Sequence, residues 1–193
     1  MNKRKQQSEE RRRQILNCSL DMIISGGYEA MKIRDIARKL NISTGLFFNY
    51  FESKESVYEE LIKIGMSGPE EVFKISIGEG TPLEVLKTIT DTILRSLKTE
   101  TFTAKMFLLM MQSINSGSLP DSVKKLLVQF DAFSPLIPLI ERGQSLGEIR
   151  PGNPLALIMV FWGAIQGVAE YLAIQPDLPL PESDWIIDIL RAR

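Results

Sequence analysis

The chain has 193 residues, 44% of them hydrophobic, with 23 Lys and Arg against 24 Asp and Glu, one cysteine and no histidine. That is enough apolar material for one large or two small cores. The missing histidines and the single cysteine exclude a Ser-His-Asp triad, a Cys-His dyad, the common histidine metal sites, a cysteine-based metal cluster and an intrachain disulfide, and no catalytic residue, metal or cofactor is expected.

The opening tract MNKRKQQSEERRRQ is basic and lacks the apolar region of a signal peptide, which points to a cytoplasmic protein. A first helix is expected from about Glu9 to Ser25, with Ile15, Ser19, Met22 and Ile23 inward, stopping at Gly26-Gly27. The cations Lys3 to Lys5 and Arg11 to Arg13 read either as an arm touching phosphate or, for Lys3 to Lys5, as a solvated tail. Ile33, Ile36, Ala37 and Leu40 fall at i, i+3, i+4 and i+7, giving a second helix one apolar face, with Arg34, Asp35, Arg38 and Lys39 on the other. Asn41 follows where a helix ends in a left-handed residue. Ser43 can cap a third helix that starts at Thr44, with Phe47 and Phe51 as its anchors and Thr44, Gly45, Leu46, Phe48, Asn49 and Tyr50 around its remaining surface. A fourth helix begins at Ser53, with Ser56 in its first turn and Val57, Tyr58, Leu61 and Ile64 as its stripe; Gly68-Pro69 marks a break or kink.

The second region opens after Gly78 to Gly80. Thr81-Pro82 supplies a cap and a first-turn proline for a helix through Leu83 to Leu97. Helices over Phe102 to Ser116 and Asp121 to about Ser145 follow, the latter bending at Pro135 and Pro138. The run from Asn153 up to Glu170 is the longest apolar stretch, free of charge until its last residue, and its Gln166, Gly163 and Gly167 make it a buried helix rather than a membrane span, so no membrane partner is expected. That long apolar helix, Leu155 to Ile174, leads through a proline-rich loop to a short one from Ser183 or Asp184 to Arg191. The fold class is therefore all-α, with about nine helices: an amino-terminal three-helix helix-turn-helix domain of homeodomain-like type at 1–64, which includes the start of the fourth helix, and a larger helical domain at 65–193. Charge is also uneven along the chain, with 11 Lys and Arg against 6 Asp and Glu through Lys54, and 12 against 18 beyond it. A positive head on an acidic body fits a chain that meets phosphate at one end.

Gly27-Tyr28, Ile33-Arg34-Asp35-Ile36-Ala37, Ile42-Ser43, Gly45, Tyr50-Phe51 and Ser53-Lys54-Glu55 together resemble the DNA-binding domain of TetR/AcrR-family transcriptional regulators. The likeness is dense over about the first 60 residues. Beyond them it is carried by the succession of helices and by Ile140 to Gln144 and Gly147 to Pro151, which look like that family's corner before its dimer helices. The resemblance implies a non-enzymatic repressor that binds double-stranded DNA as a homodimer and releases a palindromic operator when a small apolar or aromatic effector binds. It implies DNA contacts from Lys32, Arg34, Ser43, Thr44, Gly45, Leu46, Phe48, Asn49, Tyr50 and Lys54, with Arg34 toward a base and Ser43, Tyr50 and Lys54 toward phosphates. Three positions depart from the family: Lys32 stands where a small hydroxyl residue is usual, and Leu46 and Phe48 replace the usual Thr and Tyr.

Met106, Phe107, Met110, Met111, Phe130, Phe133, Met159, Phe161 and Trp162, with Gln112, Asp131 and Gln166 as polar candidates, form either an effector pocket or plain core. Gly163, Gly167, Tyr171 and Trp185 form either a dimer interface or the closure of the chain's own core. An activator, or a ligand-binding helical protein without inducer release, remains the alternative function.

Overall fold

The computed structural model describes residues 3–76 and 80–193. Among them are ten α-helices and no β-strand: α1 (Lys3–Gly26), α2 (Ile33–Lys39), α3 (Thr44–Phe48), α4 (Lys54–Ser76), α5 (Pro82–Thr99), α6 (Thr101–Ile114), α7 (Asp121–Val128), α8 (Ile137–Ser145), α9 (Pro154–Ile174) and α10 (Ser183–Ile187). Short 3-10 turns at Tyr28–Ala30 and Ser134–Leu136 and one isolated antiparallel bridge, Ile149 to Arg191, complete the regular structure. The chain forms two compact units, Met1–Gly65 with Leu108–Gln129, and Met66–Phe107 with Phe130–Arg193.

Four expectations about helix boundaries need correction. α1 begins at Lys3 rather than near Glu9. Its first turns carry no apolar residue, but they contain no Gly or Pro either, and Lys, Arg, Gln and Glu are good helix formers. Of the break or kink expected at Gly68-Pro69 the break is absent, and α4 runs through to Ser76. Proline's φ is already helical, and what it removes is one backbone bond, here to Gly65. The helix expected over 121–145 is two, because Pro135 and Pro138 each stand in the first turn of a new helical segment, where a missing N–H costs nothing. That split raises nine helices to ten. α10 stops at Ile187 instead of Arg191. The expected opening of the second region at Gly78 lies outside the described residues.

In the first unit the core is built from Ile15, Leu16, Leu20 and Ile23 of α1, Ile36 and Ala37 of α2, Phe47 of α3, Phe51, and Val57, Tyr58, Leu61 and Ile62 of α4, all buried. Leu109, Met110 and Val123 are buried too. A hydroxyl pair joins the pieces: Tyr58 Oη lies 2.8 Å from Ser113 Oγ. Ser113 gives its own proton to the Leu109 carbonyl at 2.7 Å, so Tyr58 is the donor.

The second unit packs Leu86, Ile89, Ile93, Leu94 and Leu97 of α5 with Leu136, Ile140 of α8, Ile158, Phe161, Ile165, Ala169 and Leu172 of α9, and Ile186 and Ile187 of α10. A reciprocal capping box opens α5, Thr81 with Glu84. α9 is long and apolar enough to cross a membrane by length and composition alone. Its inner face, however, belongs to this core.

The corner after α8 closes with the φ of Gly147 at 71°. Glu148 N–H donates to the Gly143 carbonyl at 3.0 Å and Gly147 N–H to that of Gln144 at 3.1 Å, the paired bonds of a Schellman motif. Two backbone bonds of 2.8 Å, Arg150 N–H to Leu190 and Ala192 N–H to Glu148, then tie the corner to the last residues.

Candidate nucleic-acid interface

Ala37 and Arg38 close α2 with the same motif. Ile42 N–H donates to the Ala37 carbonyl (2.9 Å) and Asn41 N–H to that of Arg38 (3.2 Å), with Asn41 at φ 52°. Asn41 is the single non-glycine residue with positive φ among the described residues. The turn delivers the chain to Ser43, whose Oγ accepts from Leu46 N–H at 3.0 Å and caps α3. Lys32, at the start of α2, makes no side-chain cap, as its residue type requires.

α3 divides its residues sharply between inside and outside. Phe47 is 0% exposed, a burial that contributes about 1.5–3 kcal/mol, and packs 6.0 Å from Phe51. Its neighbour Phe48 is 51% exposed and meets the Phe47 ring edge-on at 5.6 Å. Thr44, Gly45 and Asn49 are exposed, and Leu46 and Tyr50 are half-buried. A methyl group added at Gly45 would meet nothing of the protein but Ser43 Oγ, at 3.8 Å. No internal crowding therefore calls for glycine at this position.

The cations around this surface are not equivalent. Lys32 and Arg34 are exposed. Arg38 is held by Asp35 at 2.7 Å. Lys54 is largely occupied: its Nζ sits 3.3 Å from Glu29 and 3.9 Å from the centre of the Tyr28 ring. The Tyr28 hydroxyl donates to Glu55, whose carboxyl is held below its ordinary value chiefly by that bond. The Tyr28 phenol is pushed up, first by burial and then by Glu55.

Arg12 has a role that reading it as part of a basic arm misses. Its guanidinium forks onto Glu60 of α4 (Nε to Oε1 2.9 Å), donates from Nη1 to the Tyr50 carbonyl at 2.7 Å, and lies 4.3 Å from the centre of the Phe51 ring. It thus fastens the end of the third helix to the first and fourth. The spacing carried the signal, since Arg12, Leu16, Ser19 and Ile23 follow one another at helical intervals along the buried face of α1.

This arrangement of a short outward helix after a capped corner has known counterparts. Residues 15–61 match the family model described as bacterial regulatory proteins, tetR family. The amino-terminal domain is thus of the TetR-family type. The family is one of transcription regulators, not enzymes. Within that domain the chain is 40% identical over 45 residues to the HTH-type transcriptional repressor KstR of Rhodococcus jostii, a match spanning 23% of this chain and 21% of that repressor. The fold extends further than the sequence match. The TetR-family regulator PfmR of Thermus thermophilus superposes with a TM-score of 0.73 at 21% identity, over 92% of this chain and 97% of that one. AibR, solved with isovaleryl coenzyme A and operator DNA, does so with 0.67 at 16% identity, over 92% and 94%.

In the second unit the expected effector cluster is only partly brought together. Phe107 and Trp162 stack 6.1 Å apart and, with Phe133, pack on the core; Met106 is buried and Phe130 half-buried. Gln166 spends its amide on the Phe107 carbonyl (3.3 Å) and Glu170 (2.8 Å). Met110 and Met111 fall in the first unit, where Met111 is exposed. Asp131 accepts from the backbone of Phe133 and Ser134, which lowers its pKa, and Gln112 reaches the Ile24 carbonyl. Met159 is a correction: at 56% exposure it points outward. It falls at i, i+4, i+8 and i+12 with Gly163, Gly167 and Tyr171, so helical geometry puts it on the surface stripe rather than in an interior. Leu155, Val160, Tyr171, Ile174 and, on α10, Trp185 are exposed as well. A methyl group at Gly163 or Gly167 would meet nothing within 4 Å.

Proposed function

We propose that the chain is a homodimeric, cytoplasmic repressor that reads a palindromic operator with α3 and is released by a small apolar or aromatic effector. The observation that carries the DNA reading is the division within α3. Phe47 is the one buried side chain of the helix, while Thr44, Gly45, Phe48 and Asn49 are exposed to solvent. A helix so presented after a helix-turn-helix corner fits the major groove. In this reading Arg34 pairs with guanine, Phe48 and Leu46 lie against a thymine methyl or sugar, and Ser43 and Tyr50 hold phosphates. Lys54 reaches phosphate only by leaving Glu29.

The exposed apolar stripe of α9 with Trp185 supports a two-fold partner of the same chain, which would set two recognition helices about 34–36 Å apart. The amino-terminal 1–64 then acts as the reading domain and 65–193 as the regulatory one. Met106, Phe107, Phe130, Phe133 and Trp162 are the side chains on which an effector would act. AibR, crystallised with both an acyl-coenzyme A and operator DNA, supports an effector and an operator acting on one such protein. Release follows from a population shift and requires that the effector bind the two conformers unequally.

The test begins by selecting genomic fragments on the protein and measuring affinity across salt. A dimer on DNA loses affinity steeply as salt rises. Flat salt dependence, or no selected fragment, refutes the reading; operator affinity unchanged by every small molecule that binds the protein refutes the release mechanism.

A further inference from the structure

The three consecutive arginines of α1 have three different tasks, and the least obvious belongs to Arg11. Arg12 is the internal fastener described above. Arg13 turns to Glu10 at 2.9 Å. Arg11 instead lines an open groove of about 770 Å³ with Lys3, Arg4, Gln7, Glu10 and Gln14 on one wall and Leu46 and Tyr50 on the other. Lys3, Gln7, Glu10 and Gln14 recur at i, i+4, i+7 and i+11, with Arg4 and Arg11 on the adjoining stripe. Glu10, the only acid in the lining, is already neutralised by Arg13 and accepts from the Gln14 amide at 3.4 Å. The groove thus presents cations, among them Lys3 and Arg11, and the amides of Gln6, Gln7 and Gln14 beside two residues of the reading surface.

We propose that this groove seats the sugar–phosphate backbone of the same duplex, just outside the bases met by α3. The inference rests on the DNA-binding reading and deepens it. Two features favour DNA backbone as the occupant. Charge is complementary, since cations and amide donors match phosphate oxygens and the one carboxylate is cancelled. The wall is also continuous with the reading surface through Leu46 and Tyr50, so a duplex lying on α3 already borders the groove. Lys3 and Arg11 stand about 12 Å apart along the helix axis, a span that reaches more than one phosphate of a strand. Gln7 and Gln14 between and beyond them supply neutral donors.

The experiment is a salt titration of the Lys3→Gln, Arg11→Gln double variant on a fragment selected with the unaltered protein. Each phosphate contact contributes about 0.9 to the slope of log affinity against log salt, so two cations in each of two protomers should shallow it by about 3.6. Binding at low salt should fall at least about tenfold, and the difference should shrink as salt rises. Gln7→Lys, which adds a cation to the same stripe, should steepen the slope by about 1.8. Circular dichroism checks that both variants remain helical. A full slope in the double variant together with no steepening in Gln7→Lys overturns the groove while leaving α3 as the reader. Failure of the unaltered protein to bind any duplex overturns both.

Discussion

Two corners of this molecule are made the same way and answer to different demands. Asn41 after α2 and Gly147 after α8 both take a left-handed conformation and close their helices with the same pair of backbone bonds. Around Gly147 the neighbouring glycine is required from within. A methyl at Gly143 would stand 2.4 Å from Ile149 Cδ1, 2.7 Å from its Cγ1 and 3.2 Å from Pro82 Cβ. Around Asn41 a methyl on the neighbouring glycine, Gly45, would meet only Ser43 Oγ, at an uncrowded 3.8 Å. One corner is shaped by its own core; the other leaves room for something that is not part of the chain. The lesson is that a glycine without an internal reason marks a surface that expects company.

The sharpest way to break this contrast is to add the same methyl group to both. Gly143→Ala should cost about 1–3 kcal/mol of stability, because buried Ile149 has little room to yield. Urea unfolding measures it, and DNA affinity per folded molecule should be unchanged. Arg34→Ala, at the open corner, should show the inverse: about 1–3 kcal/mol of operator affinity lost with relaxed discrimination at one base, and stability within about 0.5 kcal/mol. Equal weakening on all sequences would make Arg34 a phosphate contact. Gly45→Ala is the smaller and more telling change. It should raise stability by roughly 0.5 kcal/mol, since alanine is the better helix former. If α3 lies against DNA it should also weaken operator binding by roughly tenfold, about 1.4 kcal/mol. A gain in stability with no loss of binding would remove Gly45 from the interface.

The open corner was nearly all legible in the sequence. The apolar spacing of Ile33, Ile36 and Ala37, the left-handed Asn41 and the Ser43 cap are local chemistry, decided within a few residues. Fates decided by distant partners were not legible. Lys54 is taken up by Glu29 and Tyr28, and Arg12 by Glu60 and Tyr50, partners 25 to 48 residues away. Prolines misled in two opposite ways. Pro69 sits inside a helix, because packing elsewhere along α4 outweighs one lost bond. Pro135 and Pro138 begin helical segments instead of bending one, because the loop before them was not apparent from periodicity. Met159 was misplaced because a methionine on an apolar helix looks the same from both sides until burial separates them.

The two corners also differ in what fastens them, and that difference has a pH signature. Gly147's corner is held to the chain end by backbone bonds, which do not titrate. Asn41's helix-turn-helix is backed by Glu55 at the start of α4, which accepts from Tyr28 and is held below its ordinary value of 4.5. A carboxyl depressed on folding contributes stability that is present above the unfolded value and lost as pH falls through the folded one. Stability of the first unit should therefore decline on acidification from about pH 5 downward, an effect smaller than any substitution above. Tyr28→Phe removes the donor that does most to depress Glu55, so its urea midpoint should fall less than the original protein's between about pH 6 and about pH 3.5. Parallel declines in the two proteins would mean that the Tyr28–Glu55 bond does not set the acid response.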